Sequence, residues 1–293
     1  MLRKSPQNHL PGLAVLIGGL AVMAGSALWL ALTVGGEIRY TADHTGTRPM
    51  WHIWIPALAG LMRTRLMPSP PRRTRLPVTR ELRLQAGVLL ASGVLFAAAL
   101  RLLADNGFAP EPAHTVLKLV LLLAVPVLLF RLIRVREPAR GRGGGWTRFG
   151  PVVPVAVWLV LSSVGPFARP SGDSAWTDGL SPAALLLTMI VVFALNALLE
   201  EAFYRRWLQT RWEHIIGRRP AIVLASLPFA AWRIGIHGTG DLLTDLATVV
   251  VHQGVQGLFL GYLWSRYRLM WPILTVHGAI NAAPTLLGLL TAL

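Results

Sequence analysis

The chain contains no cysteine, which removes disulfides, thiol nucleophiles and thiolate-bound metals from consideration. Acidic residues are scarce, 13 against 28 basic ones, and lysine is represented only by Lys4 and Lys118, so arginine carries the positive charge. Hydrophobic residues make up 54% of the 293, more than a soluble core of this length uses, and the composition is that of a membrane protein. A net charge of +15 would suit nucleic acid. The arginines, however, sit in short loops between apolar runs instead of on one patch, which argues against a nucleic-acid partner and for a role in setting orientation across a bilayer.

Nine apolar runs are present, near Leu13 to Val34, Trp51 to Met62, Leu84 to Ala104, Ala113 to Phe130, Val152 to Phe167, Pro182 to Leu199, Ala221 to Ile236, Leu246 to Trp264 and Trp271 to Leu293. They are too long and too uniformly apolar for barrel strands, so the expected fold class is all-α, a polytopic bundle of transmembrane helices. Trp51 to Met62 is short of the roughly 20 residues a helix needs to cross. If it crosses there are nine spans with the N-terminus inside, and if it is re-entrant there are eight. Arg3 and Lys4 favour the first. The run after Pro11 lacks a small-residue cleavage site and is expected to be a retained span.

Loop charge alternates along the chain. Arg63 to Arg83 holds seven arginines and one glutamate, Arg131 to Arg148 six and one, and Arg205 to Arg219 five and one. These loops, with the turn carrying Arg266 and Arg268, are expected in the cytoplasm, and the neutral or acidic loops between them outside. Gly35 to Met50 and Ala168 to Ser181 belong to the second group. Pro68 to Pro77 and Gly141 to Gly145 have linker composition. No internal repeat is visible, which argues against a repeat-built transporter. The expected division is residues 1–150, N-terminal helices with basic loops, and 151–293, the part that carries the chemistry.

Within this frame Glu200 and Glu201 are the only acids inside or at the edge of a span. A carboxylate at bilayer depth costs about 2.5 to 3.5 kcal/mol, so the pair marks a functional site. On a helix Glu201 and Arg205 pair four residues apart, while Glu200 points about 100° away, with Asn196 one turn before it and Tyr204 one turn after. In the last run His277 and Asn281 share a face, and can either stabilise an oxyanion or bond across to another helix. In the seventh run Phe229, Arg233 and His237 follow at spacings of four. Arg233 is the one basic residue expected in mid-span, with Arg101 and Lys118 nearer the outer ends, their heads snorkelling to water. His252 and Gln256 have a structural reading, and Gly257 and Gly261 that of a helix-packing seam.

Glu200, Glu201 and Arg205 as EExxxR, Phe229 at the head of a second motif, and His277 with Asn281 as HxxxN follow each other on the last four helices. This order resembles the CPBP family of intramembrane endopeptidases, which includes the type II CAAX prenyl proteases and Abi relatives. The resemblance covers roughly Pro182 to Leu293 and implies a CPBP-like core in the last four helices. It further implies peptide-bond hydrolysis by water activated at Glu200, an oxyanion held by His277 and Asn281, and a helix oriented by Glu201 with Arg205. One position departs from the pattern, since Arg233 stands where the family has histidine.

A guanidinium does not give up its proton in proteins, so Arg233 cannot serve as a base and is expected to pair with a carboxylate, Glu200 first. With Arg233 present, zinc would have only His277 and carboxylates to bind, a poor set, so no cofactor is expected and a divalent metal such as zinc is the less favoured alternative. The expected protein is thus an integral membrane endopeptidase of a bacterial plasma membrane. Its site faces the cytoplasmic half, and its partners are the lipid bilayer and a protein or peptide substrate. The composition leaves the oligomeric state open. The alternative is a non-enzymatic binding or immunity protein that keeps the site without its chemistry, an alternative that Arg233 favours.

Overall fold

A computed structural model describes residues 10–39, 46–70, 76–107, 110–135, 149–168, 181–236 and 241–291. The chain is an all-α helical membrane protein. Among these residues nine helices correspond to the nine apolar runs. They are α1 (Leu10–Thr33), α2 (Trp51–Leu66), α3 (Arg80–Asp105), α4 (starting as Pro110–Leu117 and ending as Val125–Leu132) and α5 (Val152–Leu161). The remaining four are α6 (Pro182–Ile216), α7 (Arg218–Ala231), α8 (Leu242–Tyr267) and α9 (Met270–Thr291). Five of them, α1, α3, α4, α6 and α8, are long and apolar enough to cross a membrane. The linker expected at Gly141 to Gly145 lies outside the described residues, as do His237 and most of the Ala168 to Ser181 loop.

The outer helices show why the apolar content is so high. Helix α1 buries only Gly12, Gly19, Met23 and Leu30, one stripe directed at α7, and turns Leu13, Ile17, Leu20 and Leu28 outward. In water those side chains would be a liability, whereas in lipid they need no partner. Helix α3 starts where the Thr79 hydroxyl accepts a hydrogen bond from Leu82 N at 3.2 Å, a cap worth about 1 kcal/mol. Its buried stripe of Leu82, Ala86, Leu89, Phe96 and Leu100 has helical spacing and faces the core. That core joins the two halves of the chain, placing Leu89, Phe96 and Leu122 against Phe203, Phe229 and Leu260.

Three local readings change. The Gly35 to Met50 loop contains two short antiparallel strands, Glu37–Arg39 and Thr47–Pro49, in the register Ile38 opposite Arg48. Helix α2 follows it with 16 residues instead of the twelve expected, packed on α5 and α8. The larger correction concerns Arg205 to Arg219, which is not a loop: α6 continues without a break to Ile216, and only Gly217, at φ +94°, separates it from α7. The polar residues there satisfy one another. Gln209 Nε2 donates to Gly261 O and to Glu213 Oε1, both at 2.8 Å. Arg211 Nε donates to Gln85 Oε1 at 2.9 Å, and Glu213 pairs with Arg268. The glycine seam is present, with Gly257 against Ser226 and Gly261 against Gln209 and Ile222.

Candidate active site

Helix α6 spans 35 residues, more than the hydrocarbon thickness requires, so Glu200 and Glu201 sit in its interior and not at its end. Two π-helical stretches flank the pair, Phe193–Leu198 before it and Ala202–Gln209 after it. Such insertions are rare and gather at functional sites. The two carboxylates are both fully buried and, one residue apart, point to different neighbours. Glu200 faces α4 and the end of α7, and Glu201 faces α9 and its own next turn.

Glu201 Oε2 lies 3.2 Å from Arg205 Nε, the expected pair, and Glu201 Oε1 lies 2.8 Å from His277 Nδ1 on α9. Glu200 Oε2 lies 3.5 Å from Arg233 Nη2 and 3.9 Å from His277 Nε2. Arg233 thus finds Glu200. It does so from a 3₁₀ turn, Trp232–Gly235, into which α7 tightens after Ala231, and not from the regular helical face that the spacing of Phe229 and Arg233 suggests. Its Nη1 also donates to Phe229 O at 2.8 Å. The turn lies against α3 so closely that a side chain at Gly235 would come within 2.9 Å of the Leu100 carbonyl carbon.

The cation that sequence reasoning misplaced is Lys118. It does not snorkel. Only 1% exposed, it opens a π-helical stretch of α4, Lys118–Ala124, and its Nζ donates to Glu200 Oε1 at 2.8 Å and to Asn196 Oδ1 at 2.7 Å. It stands over the Trp232 ring at 4.8 Å, and His114, one turn earlier, stacks on the same indole at 5.0 Å. The available signal was its singularity: in a chain that places its charge on arginine, this is the one lysine within an apolar run. Nothing local distinguishes it from a snorkelling residue, because its partner is 82 residues away. Arg101, also expected to snorkel, pairs with Asp105 at 2.9 Å and lies 3.8 Å from Asp245.

Phe229 is the hub of the constellation. Arg205 lies 4.3 Å and Arg233 4.7 Å from its ring centre, and Tyr204 and His277 meet it edge-on at 5.4 and 5.7 Å. Cations over an aromatic face gain about 0.5 to 2 kcal/mol each. Tyr204 is fully buried. His277 is brought in by the close approach of α9 to α6, where a side chain at Gly278 would come within 2.9 Å of Phe193. Asn281, one turn on, keeps a buried Nδ2 that donates to no protein group among the described residues.

Among the described residues no group of three or more His, Asp or Glu is arranged to hold a metal. Lys118, Arg233 and Arg205 already face the carboxylates, so the donor set does not fit zinc. A buried set of two carboxylates, one imidazole and three cations inside a helical membrane protein is a candidate site for polar chemistry. Residues 182–283, about a third of the chain, match the family described as type II CAAX prenyl endopeptidase Rce1-like, a match that supports a CPBP family assignment for that stretch. At the level of the family the activity is proteolysis in a membrane setting, with protein or peptide substrates. No curated protein and no solved structure matches the chain.

Proposed function

We propose that this chain is an intramembrane endopeptidase that hydrolyses peptide bonds of a membrane-associated protein or peptide, using water bound at Glu200. The observation that carries the reading is the convergence of Glu200 Oε2 and His277 Nε2, 3.9 Å apart, from helices 77 residues distant in sequence. Both atoms are buried and, among the described residues, neither makes a hydrogen bond, Glu200 Oε2 having only the 3.5 Å ion pair with Arg233; buried polar atoms are seldom left so unless another molecule serves them. Glu201 with Arg205 orients the pair of helices, and Asn281 offers a donor for the oxyanion. Peptide reaches the site from the cytoplasmic half of the membrane or laterally from the bilayer.

The second reading, a binding protein without hydrolysis, is favoured by one observation. Each oxygen of Glu200 faces a cation, Lys118 at 2.8 Å and Arg233 at 3.5 Å, so a proton arriving there meets two positive charges. Incubation of the purified protein in nanodiscs with a peptide library, read by mass spectrometry, separates the two. Cleavage that falls at least about tenfold in Glu200→Gln supports the endopeptidase. Peptides retained uncut by both proteins support the binding reading.

A further inference from the structure

One imidazole stands between two carboxylates. Glu201 Oε1 is 2.8 Å from His277 Nδ1, and an ionised carboxylate only accepts, so this contact places the hydrogen on Nδ1. In the neutral ring the lone pair then sits on Nε2. That nitrogen is aimed at Glu200 Oε2, so two acceptors face each other at a distance where they cannot bond directly. A water about 2.8 Å from each can donate one hydrogen to Nε2 and the other to Oε2.

We infer that His277 is the catalytic base of this protein, held in its accepting tautomer by Glu201, while Glu200 positions the water. The inference rests on the endopeptidase reading and assigns the proton within it. A carboxylate behind the imidazole stabilises the imidazolium that forms, as in hydrolytic triads. Glu200, by contrast, has Lys118 and Arg233 beside it, and Arg233 cannot accept a proton. The roles therefore shift along the site relative to the family resemblance. His277, with no hydrogen on Nε2, is not an oxyanion donor in the attacking step, and that duty falls to Asn281 Nδ2.

The step balances as follows. The water O–H bond breaks, its proton goes to His277 Nε2, and its oxygen bonds the scissile carbonyl carbon, whose oxygen becomes the oxyanion. The imidazolium then returns that proton to the amide nitrogen as the C–N bond breaks and its electron pair leaves with nitrogen.

The tautomer can be measured without activity. In protein labelled with ¹⁵N-histidine, with the His277 signal identified by its loss in His277→Gln, the expected ring near neutral pH carries its proton on Nδ1 and none on Nε2. Glu201→Gln should disturb that state. A ring protonated on Nε2, or on both nitrogens across the working pH range, overturns the assignment whether or not peptide is cut. In turnover, His277→Ala should lose at least about 100-fold in kcat with KM little changed, more than Glu200→Gln loses. Added imidazole should restore part of the rate in proportion to its neutral form. Restoration that follows the imidazolium form would mean that His277 acts as a donor, and would also overturn the assignment. A wild type that cuts nothing instead overturns the endopeptidase reading, a result separate from the tautomer.

Discussion

Lys118 Nζ lies 2.8 Å from Glu200 Oε1, a fully buried ion pair that ties the fourth helix to the sixth. Removing one partner of such a pair leaves a charge without compensation and costs about 3 to 5 kcal/mol, whereas removing both is often nearly neutral. Lys118→Met should therefore lower the thermal stability of the detergent-solubilised protein markedly. Lys118→Met with Glu200→Gln should recover part of the loss, since Arg233 then lacks Glu200 as its partner. A double-mutant cycle with no coupling between the two positions would contradict the pairing.

Arg233→His should raise the rate of peptide hydrolysis, by roughly 10- to 100-fold, because an imidazole beside the water that Glu200 positions adds a second acceptor for its proton. The comparison includes the wild type, Arg233→His and the double variant with Glu200→Gln, in which the gain should disappear. A fast wild type slowed by Arg233→His would show that arginine belongs to a working mechanism.

Phe229 carries two guanidinium groups on its ring. Phe229→Ala should destabilise the protein by about 3 to 5 kcal/mol through loss of a buried aromatic. Phe229→Leu keeps most of the volume and isolates the cation contacts, so its loss should be about 1 to 3 kcal/mol. A Phe229→Leu variant as stable as the wild type, read by chemical denaturation, would exclude a contribution from the cations.

Gly235→Ala should lower activity more than its size suggests. The added carbon would meet backbone atoms of Leu100 and Arg101, at 2.9 and 3.1 Å, and backbone yields less readily than a side chain. The turn carrying Arg233 must then move away from α3, at a cost of about 1 to 3 kcal/mol. Unchanged stability and unchanged turnover together would show that the turn is not held by this contact.

Single cysteines introduced into the Arg63 to Arg83 and Arg131 to Arg148 segments should label only from the cytoplasmic side, and one in the Ala168 to Ser181 segment only from the opposite side. The chain has no native cysteine to confuse the reading. Labelling of all three from one side would reject the orientation drawn from loop charge.

The positions of the helices among the described residues were legible in the apolar runs, though not the ends of α2 and α6, because a helix that faces lipid must be apolar over most of its surface and no tertiary contact is needed to say so. The Glu201–Arg205 pair was legible for a similar reason: both residues lie on one helix, and a spacing of four determines their meeting. The Arg233–Glu200 pair followed from scarcity, since few carboxylates lie at that depth. Tertiary structure alone decided the rest. The continuation of α6 to Ile216 depends on Gln85, Gly261 and Arg268, which come from three other segments and satisfy its polar residues. Lys118 reads as a snorkelling residue until α4 is packed against α6, and only then does its charge have an anion within reach. His277 has two nitrogens of equal standing in the sequence, and they become different only when Glu201, on another helix, comes within 2.8 Å of one of them. Local periodicity determines which residues share a face. Which faces meet is decided by packing between helices far apart in the chain.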